Sequence, residues 1–159
     1  MELLQPGYGF AIILAILLFL AFVALGVFFL LTQYRTLEAI RPENRRMPSG
    51  QVWLQMIPLF GLIWQFFVIS RIADSIREEL NSPTGDSIFA ENPVPSGERP
   101  TYAIGLAYAI CFCVSVIPID LIKGPASLGG IVCWIIYWVK LAEYKKKLKG
   151  RAILLNVTL

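Results

Sequence analysis

The chain has 159 residues, of which 57% are hydrophobic, 13% aromatic and only 16% charged, where an ordinary soluble domain carries roughly 25% charged residues. Fourteen Lys and Arg against 11 Asp and Glu give a net charge of +3, and there is no histidine, which excludes histidine zinc sites, histidine-ligated haem and imidazole bases. So few charges cannot clothe a soluble core of this size. The expected fold class is therefore all-α integral membrane: a small helical bundle of three to four transmembrane helices, with one proline-interrupted segment and an amphipathic surface helix.

Between Glu2 and Arg35 there are 32 consecutive residues without a formal charge. The apolar part, 8–31, reaches roughly 36 Å as a helix, enough to cross a bilayer with some tilt. It has no basic stretch before it and is too long for the core of a cleavable signal, so it is expected to persist as a span. A basic connector follows, in which Pro42, Pro48 and the Ser49-Gly50 pair break any helix.

The second apolar segment, 52–70, is interrupted by Gln55, Pro58, Gly61 and Gln65. It runs into residues 71–80, where Ile69, Ile72, Ile76 and Leu80 recur at spacings of three and four, the pattern of an amphipathic surface helix. Residues 81–100, with four prolines and two glycines, read as an irregular exposed linker.

The third apolar segment is 101–122, with Pro118 and Asp120 near its end. A Lys123-Gly124-Pro125 turn leads to the fourth, 126–140, and 141–159 form a basic tail. Cys111, Cys113 and Cys133 lie within apolar runs. Cys111 and Cys113 point to different sides of a helix and three thiols do not complete a four-ligand site, so the cysteines read as packing residues. No cofactor or metal is expected.

Charge distribution bears on topology. Four crossings place the basic clusters at 35–46 and 140–151 on opposite sides of the membrane, against the positive-inside rule. If segment 52–70 does not cross, 13 of the 14 Lys and Arg face the cytoplasm, with the N-terminus outside. Pro58 removes a backbone donor, and Gln55 and Gln65 burden the hydrophobicity of that segment. Three spans are favoured over four, with segment four as a weaker candidate for the exception. The C-terminus is cytoplasmic in each arrangement.

On a continuous helix Trp53, Phe60, Trp64, Phe67 and Arg71 form one stripe, with Gln55, Pro58 and Gln65 opposite. Pro58 is expected to leave the Leu54 carbonyl open for a glutamine amide. The favoured reading makes Trp53, Trp64 and Arg71 interfacial anchors and the glutamines helix contacts; the other makes Gln55, Pro58 and Gln65 a ligand or ion path at a broken helix. The order Trp53, Ile57-Pro58, Trp64, then Arg71-Ile72-Ala73-Asp74-Ser75-Ile76 resembles uncharacterised families of small bacterial multi-spanning membrane proteins, over about 30 residues. The resemblance implies a bacterial inner-membrane protein and carries over no activity or functional residue.

Asp120 and Lys123 read as an ion pair at a helix end rather than as a proton-handling site. Arg41, Arg45, Arg46, Lys145, Lys146 and Lys147 are candidates for anionic lipid headgroups, each worth about 1 kcal/mol near the surface. Asp74, Glu78 and Glu79 read as a solvated helix face. No folded basic platform outside the bilayer is visible, so nucleic acid is not expected. With no catalytic constellation, the leading expectation is a non-enzymatic membrane protein that self-associates or joins a larger complex through Gly, Ser and Gln contacts. A small oligomeric channel or transporter using the Pro58-broken segment is the alternative. Cysteines placed at Ser49 and Ser87 separate three spans from four: labelling of both from the cytoplasm means that 52–70 does not cross, and labelling from opposite sides means that it does.

Overall fold

The computed structural model describes residues 6–82, 94, 95 and 97–157, and the described residues are helical, without a strand. Four α-helices occur in chain order: α1 Pro6–Glu38, α2 Phe60–Asn81, α3 Tyr102–Ser115 and α4 Asp120–Val157. Two 3₁₀ segments, Pro42–Asn44 and Ser49–Met56, lie between α1 and α2. By internal contacts the chain divides into two units, Met1–Leu31 and Thr32–Leu159.

The first unit is the greater part of α1. Its run of Leu, Ile, Ala and Phe contains no residue that breaks a helix, and Pro6 sits at the first helical position, where its missing donor costs nothing. Every side chain from Gly9 through Leu25 is exposed, so the helix is apolar on all faces with no polar side to offer water.

The second unit begins with the last turns of α1 and contains the interruption expected around Pro58, which takes the form of a chain reversal. Residues 52–70 do not form one helix. The 3₁₀ segment ends at Met56, Leu59 takes a left-handed φ of 63°, and α2 starts at Phe60. The Leu54 carbonyl accepts from the Ile57 amide at 3.2 Å, so it is not left for a glutamine as the sequence suggested. The amides of Phe60 and Gly61 close the turn on the carbonyls of Pro58 and Ile57, both at 2.7 Å. Gly61 is required here, because a Cβ would overlap the Gln55 carbonyl.

The two arms of this hairpin then run antiparallel. Trp64 Nε1 donates to the Gln51 carbonyl at 2.9 Å, and the Arg46 amide donates to Ser75 Oγ at 2.9 Å. A segment that entered at Ser49 thus returns to the level of Arg46 by Ser75. The expected amphipathic helix over 71–80 is the second half of α2 and continuous with 60–70. Its buried stripe comprises Gln65, Val68, Ile69, Ile72, Ala73, Ser75, Ile76 and Glu79.

α3 is antiparallel to α2, with Gly105 against Ile69 and Cys113 beside Leu62 and Gln65. Helix α3 ends at Ser115, three residues before Pro118, which disfavours helical backbone at the residue preceding it. The expected segment 101–122 is therefore helical over only 14 residues before the break at Val116–Ile119. Ser115 Oγ donates to the Phe112 carbonyl at 2.8 Å, and the Val114 carbonyl accepts from the Ile117 amide at 3.1 Å.

α4 corrects one expectation. The Lys123-Gly124-Pro125 turn is helical, and Pro125 lies inside α4 as its sixth residue. The basic tail is helical as well, and α4 continues without a break to Val157. α4 returns along α3, with Gly130 against Cys111 and Phe112, and Tyr137 against Gly105 and Tyr108. Two stretches, Gly9–Glu38 and Lys123–Ile153, are long and apolar enough to cross a membrane, and Tyr102–Ser115 is a shorter apolar helix. Of the expected linker 81–100, residues 83–93 and 96 lie outside the described residues.

At Gly105 three helices come close together: a Cβ there would stand 2.6 Å from Ile69 Cγ2 and 2.9 Å from Tyr137 Cε2. Replacing Gly105 by Val is expected to destabilise the protein by about 2–3 kcal/mol through overpacking. Gly150→Ala in α4 meets nothing within 4 Å and is expected to be neutral or stabilising by roughly 0.5–1 kcal/mol. Thermal unfolding of both variants in mild detergent, followed by circular dichroism, measures the difference.

Candidate functional site

The ends of three elements meet around the last turns of α2. Arg41 and Asn44 lie on the connector that leaves α1, and both reach the Glu79 carboxylate, which is 4% exposed. Arg41 Nε donates to Glu79 Oε1 at 3.0 Å, its backbone amide donates to Oε2 at 3.2 Å, and Asn44 Nδ2 donates to Oε2 at 2.7 Å. A buried carboxylate with one cation and two further donors is well satisfied, and removing its partners would leave a buried charge.

Around this pair the collar continues. Asn44 Nδ2 also donates to Ser82 Oγ at 2.9 Å, and Arg46 pairs with Glu78. That carboxylate, by hydrogen bond first and by charge second, holds the Arg46 guanidinium above its usual pKa. From α4, Arg151 donates to the Leu80 and Ser82 carbonyls at 3.1 and 3.3 Å, supplying donors to carbonyls that a helix end leaves open. Arg99, just before α3, clamps Asp74 with two bonds of 2.8 Å, donates to Ser70 Oγ at 2.6 Å, and lies over the Tyr102 ring at 4.0 Å. At the same end, Asn81 and Val94 exchange two hydrogen bonds of 2.9 and 3.3 Å.

The acids read from sequence as a solvated face are therefore ion-paired, and Glu79 is buried. Of the lipid-headgroup candidates, Arg41 and Arg46 hold carboxylates, and Arg45 donates to the Ile40 carbonyl at 2.9 Å. Lys145, Lys146 and Lys147 lie on α4, Lys145 half-buried and the other two exposed. Asp120 opens α4, its side chain outside the described ones, and Lys123 is exposed.

Below the collar a polar layer crosses the second unit. Gln55 Nε2 donates to the buried Gln33 Oε1 at 2.6 Å and to the Val52 carbonyl at 3.2 Å. Trp138 Nε1 donates to Thr32 Oγ1 at 2.9 Å, and the Tyr108 and Tyr137 rings meet at 5.2 Å. Gln65 donates to the Leu62 carbonyl at 3.0 Å and lies 4.0 Å from Cys113 Sγ. Gln55 and Gln65 thus turn to different partners, one toward α1 and one toward α3, because the reversal at Pro58 ends the continuous helix that aligned them.

The aromatic stripe forms on α2 alone: Phe60, Trp64 and Phe67 stack at 5.2 and 4.7 Å, and Arg71 lies 4.8 Å from the Phe67 ring centroid. Trp53 stands apart from it, on the 3₁₀ arm. Among the described residues no three Cys, Asp or Glu side chains gather into a metal-ligand group.

Sequence reading did not single out Asn44, Ser70, Arg99 or Arg151. A signal for Glu79 was present: it lies three residues after Ile76 and seven after Ile72, on the buried stripe. No local signal marks Arg99, which α3 brings to Asp74 only by packing. No family model matches the chain, and no curated protein or solved structure matches it either.

Removing the Glu79 carboxylate by substitution with Ala, or its partner by Arg41→Ala, is expected to cost about 2–4 kcal/mol. Glu43→Ala, at a 65% exposed side chain 3.8 Å from Arg41, is expected to cost less than about 0.5 kcal/mol. Urea titration in detergent micelles distinguishes the buried pair from the exposed one.

Proposed function

We propose that the chain is a small, non-enzymatic integral membrane protein that acts as a self-associating or accessory subunit of a membrane complex. The observation that carries this reading is α1, whose side chains from Gly9 through Leu25 are exposed and almost wholly apolar. A helix of that kind needs lipid or other apolar helices around it, and α1 supplies a long face for either.

In the proposed topology α1 crosses first, the Ser49–Asn81 hairpin enters and returns on the cytoplasmic side, and α3 and α4 cross and recross. Three spans result, with the N-terminus outside and the C-terminus inside. The meeting of Arg41 and Arg151 at one end of α2 supports this, since both basic clusters then share one face of the membrane. The bacterial inner membrane suggested by the resemblance of residues 53–76 agrees with that charge arrangement. Exposed Lys146 and Lys149 are available to anionic headgroups there. The two glutamine amides bond inside the protein, which favours helix contact over a role as pathway residues in a channel.

Native mass spectrometry in mild detergent is expected to give particles heavier than the 17.8 kDa chain, as oligomers or with a co-purifying subunit. A strictly monomeric particle without a partner sinks the assembly reading. For topology, single cysteines replacing Ser49 and Lys149 in a cysteine-free background are expected to label only from the cytoplasmic side, and one replacing Lys123 only from the opposite side; labelling at 49 from the outside overturns the three-span arrangement.

A further inference from the structure

The second unit narrows along its length, and its apolar hairpin ends where the narrowing begins. Between Arg46 and Arg71 the chain has 24 uncharged residues, which as one helix would reach roughly 36 Å and cross a bilayer. The reversal at Pro58 folds that run in half. The 3₁₀ arm Ser49–Met56 has eight residues, about 16 Å at the 3₁₀ rise. The arm on α2, from Phe60 through Ser70, has 11, about 16 Å at the helical rise. Each arm therefore matches one half of a hydrocarbon core about 30 Å thick.

The inward and outward faces of the hairpin differ in kind. Its polar side chains bond within the protein: Gln55 to Gln33, Gln65 to the Leu62 carbonyl, and the Trp64 indole to the Gln51 carbonyl. The turn closes on itself through the amides of Ile57, Phe60 and Gly61, and Pro58 has no donor to satisfy. What faces outward at the tip is apolar. Met56, Ile57, Leu59, Phe60 and Ile63 are exposed, Leu59 at 78% and Ile63 at 76%. An internally bonded turn with an apolar exterior suits hydrocarbon, where unpaired polar groups are costly. Charge begins only at the far ends of the two arms, with Arg46 and Arg71.

Around the level where Leu62 meets Cys113, four stretches of chain pack together: the 3₁₀ arm, α2, α3 and α4. Beyond that level α2 and α3 each have two residues left, Phe60 and Gly61 on one and Val114 and Ser115 on the other. α4, whose Gly130 packs on Cys111 and Phe112, begins ten residues earlier at Asp120. α4 and the Val116–Ile119 connection therefore continue past the tip with no partner from the hairpin.

We propose that this hairpin is a one-leaflet wedge. Its tip stands among acyl chains near the middle of the bilayer, and the cross-section it adds to the cytoplasmic leaflet alone makes the protein prefer membrane that is convex on that side. This rests on the three-span reading above and adds the lipid surface that the hairpin selects. Insertion into one leaflet is easier where curvature has spread the headgroups apart, and each wedge in turn favours that curvature.

Two measurements on the full chain test the wedge. In the first, Ile57→Cys in a cysteine-free background carries a nitroxide, and its relative exposure to oxygen and to a water-soluble nickel chelate in phosphatidylcholine vesicles gives its depth. The expected depth is about 15 Å below the hydrocarbon boundary, with the same label at Ile63→Cys shallower. In the second, Lys149→Cys is labelled after reconstitution with an impermeant fluorophore, so that only molecules with the charged collar outward are seen, and membrane tubes are pulled from giant vesicles. Fluorescence per unit lipid is expected to be about threefold higher in the tube than on the parent vesicle. Ile57→Asn together with Ile63→Asn is expected to draw the tip toward the headgroups and to bring that ratio close to one.

A tip label as open to the nickel chelate as a surface site, spin–spin broadening that places a second copy over the tip, or equal density in tube and vesicle overturns the wedge and leaves the integral-membrane reading intact. Failure of the protein to float with vesicles overturns both. Should the double Asn variant not fold, the depth and the tube enrichment measured without it decide alone.

Discussion

The carboxylate of Glu79 is the constraint around which the second unit is organised. It sits at 4% exposure with Arg41 and Asn44 as its donors, so the chain cannot leave it unpartnered without the several-kcal/mol cost of a buried naked charge. Satisfying it requires the connector after α1 to fold back over the end of α2. Once that has happened, Arg46 falls beside Glu78 and Ser75, and Asn44 reaches Ser82. Arg151 then completes the same helix end from α4, so three distant stretches of chain close on one turn.

That closure is possible only because the segment between the connector and α2 turns around. Pro58 and the left-handed Leu59 reverse the backbone, and Gly61 lets the returning helix pass the Gln55 carbonyl without overlap. The reversal also decides where the glutamines go. Gln55 stays on the descending arm and finds Gln33, whereas Gln65 rides on the ascending helix and faces Cys113. Two side chains that a single helix would have aligned become contacts to two different helices.

Packing lower down follows from the same hairpin. α2 presents Ile69 to Gly105, and the absence of a side chain at Gly105 lets Tyr137 of α4 approach both. The Arg99 clamp on Asp74 then anchors the start of α3 at the charged end, and the break before Pro118 limits how far α3 descends.

The lengths of the apolar runs and the place of Pro58 were enough to indicate helices with an interruption at Pro58, because hydrophobic length and proline chemistry are local properties. The period of three and four through Ile69, Ile72 and Ile76 likewise made the buried face of α2 legible, though not that Glu79 belongs to it. Sequence alone misread the acids of that helix as solvated and the Arg41–Arg46 cluster as free for lipid, since charge patterning says which residues are ionic but not which of them meet. It also split α4 in two, because Pro125 and the lysines look like a stop and a tail until Leu141 and Leu148 are seen buried. Only the tertiary structure decided that Arg41, Asn44 and Arg151 converge on one helix end, and that Arg99 holds Asp74. Those pairings span 25 to 71 positions along the chain and depend on the hairpin having turned, which no local window of sequence contains.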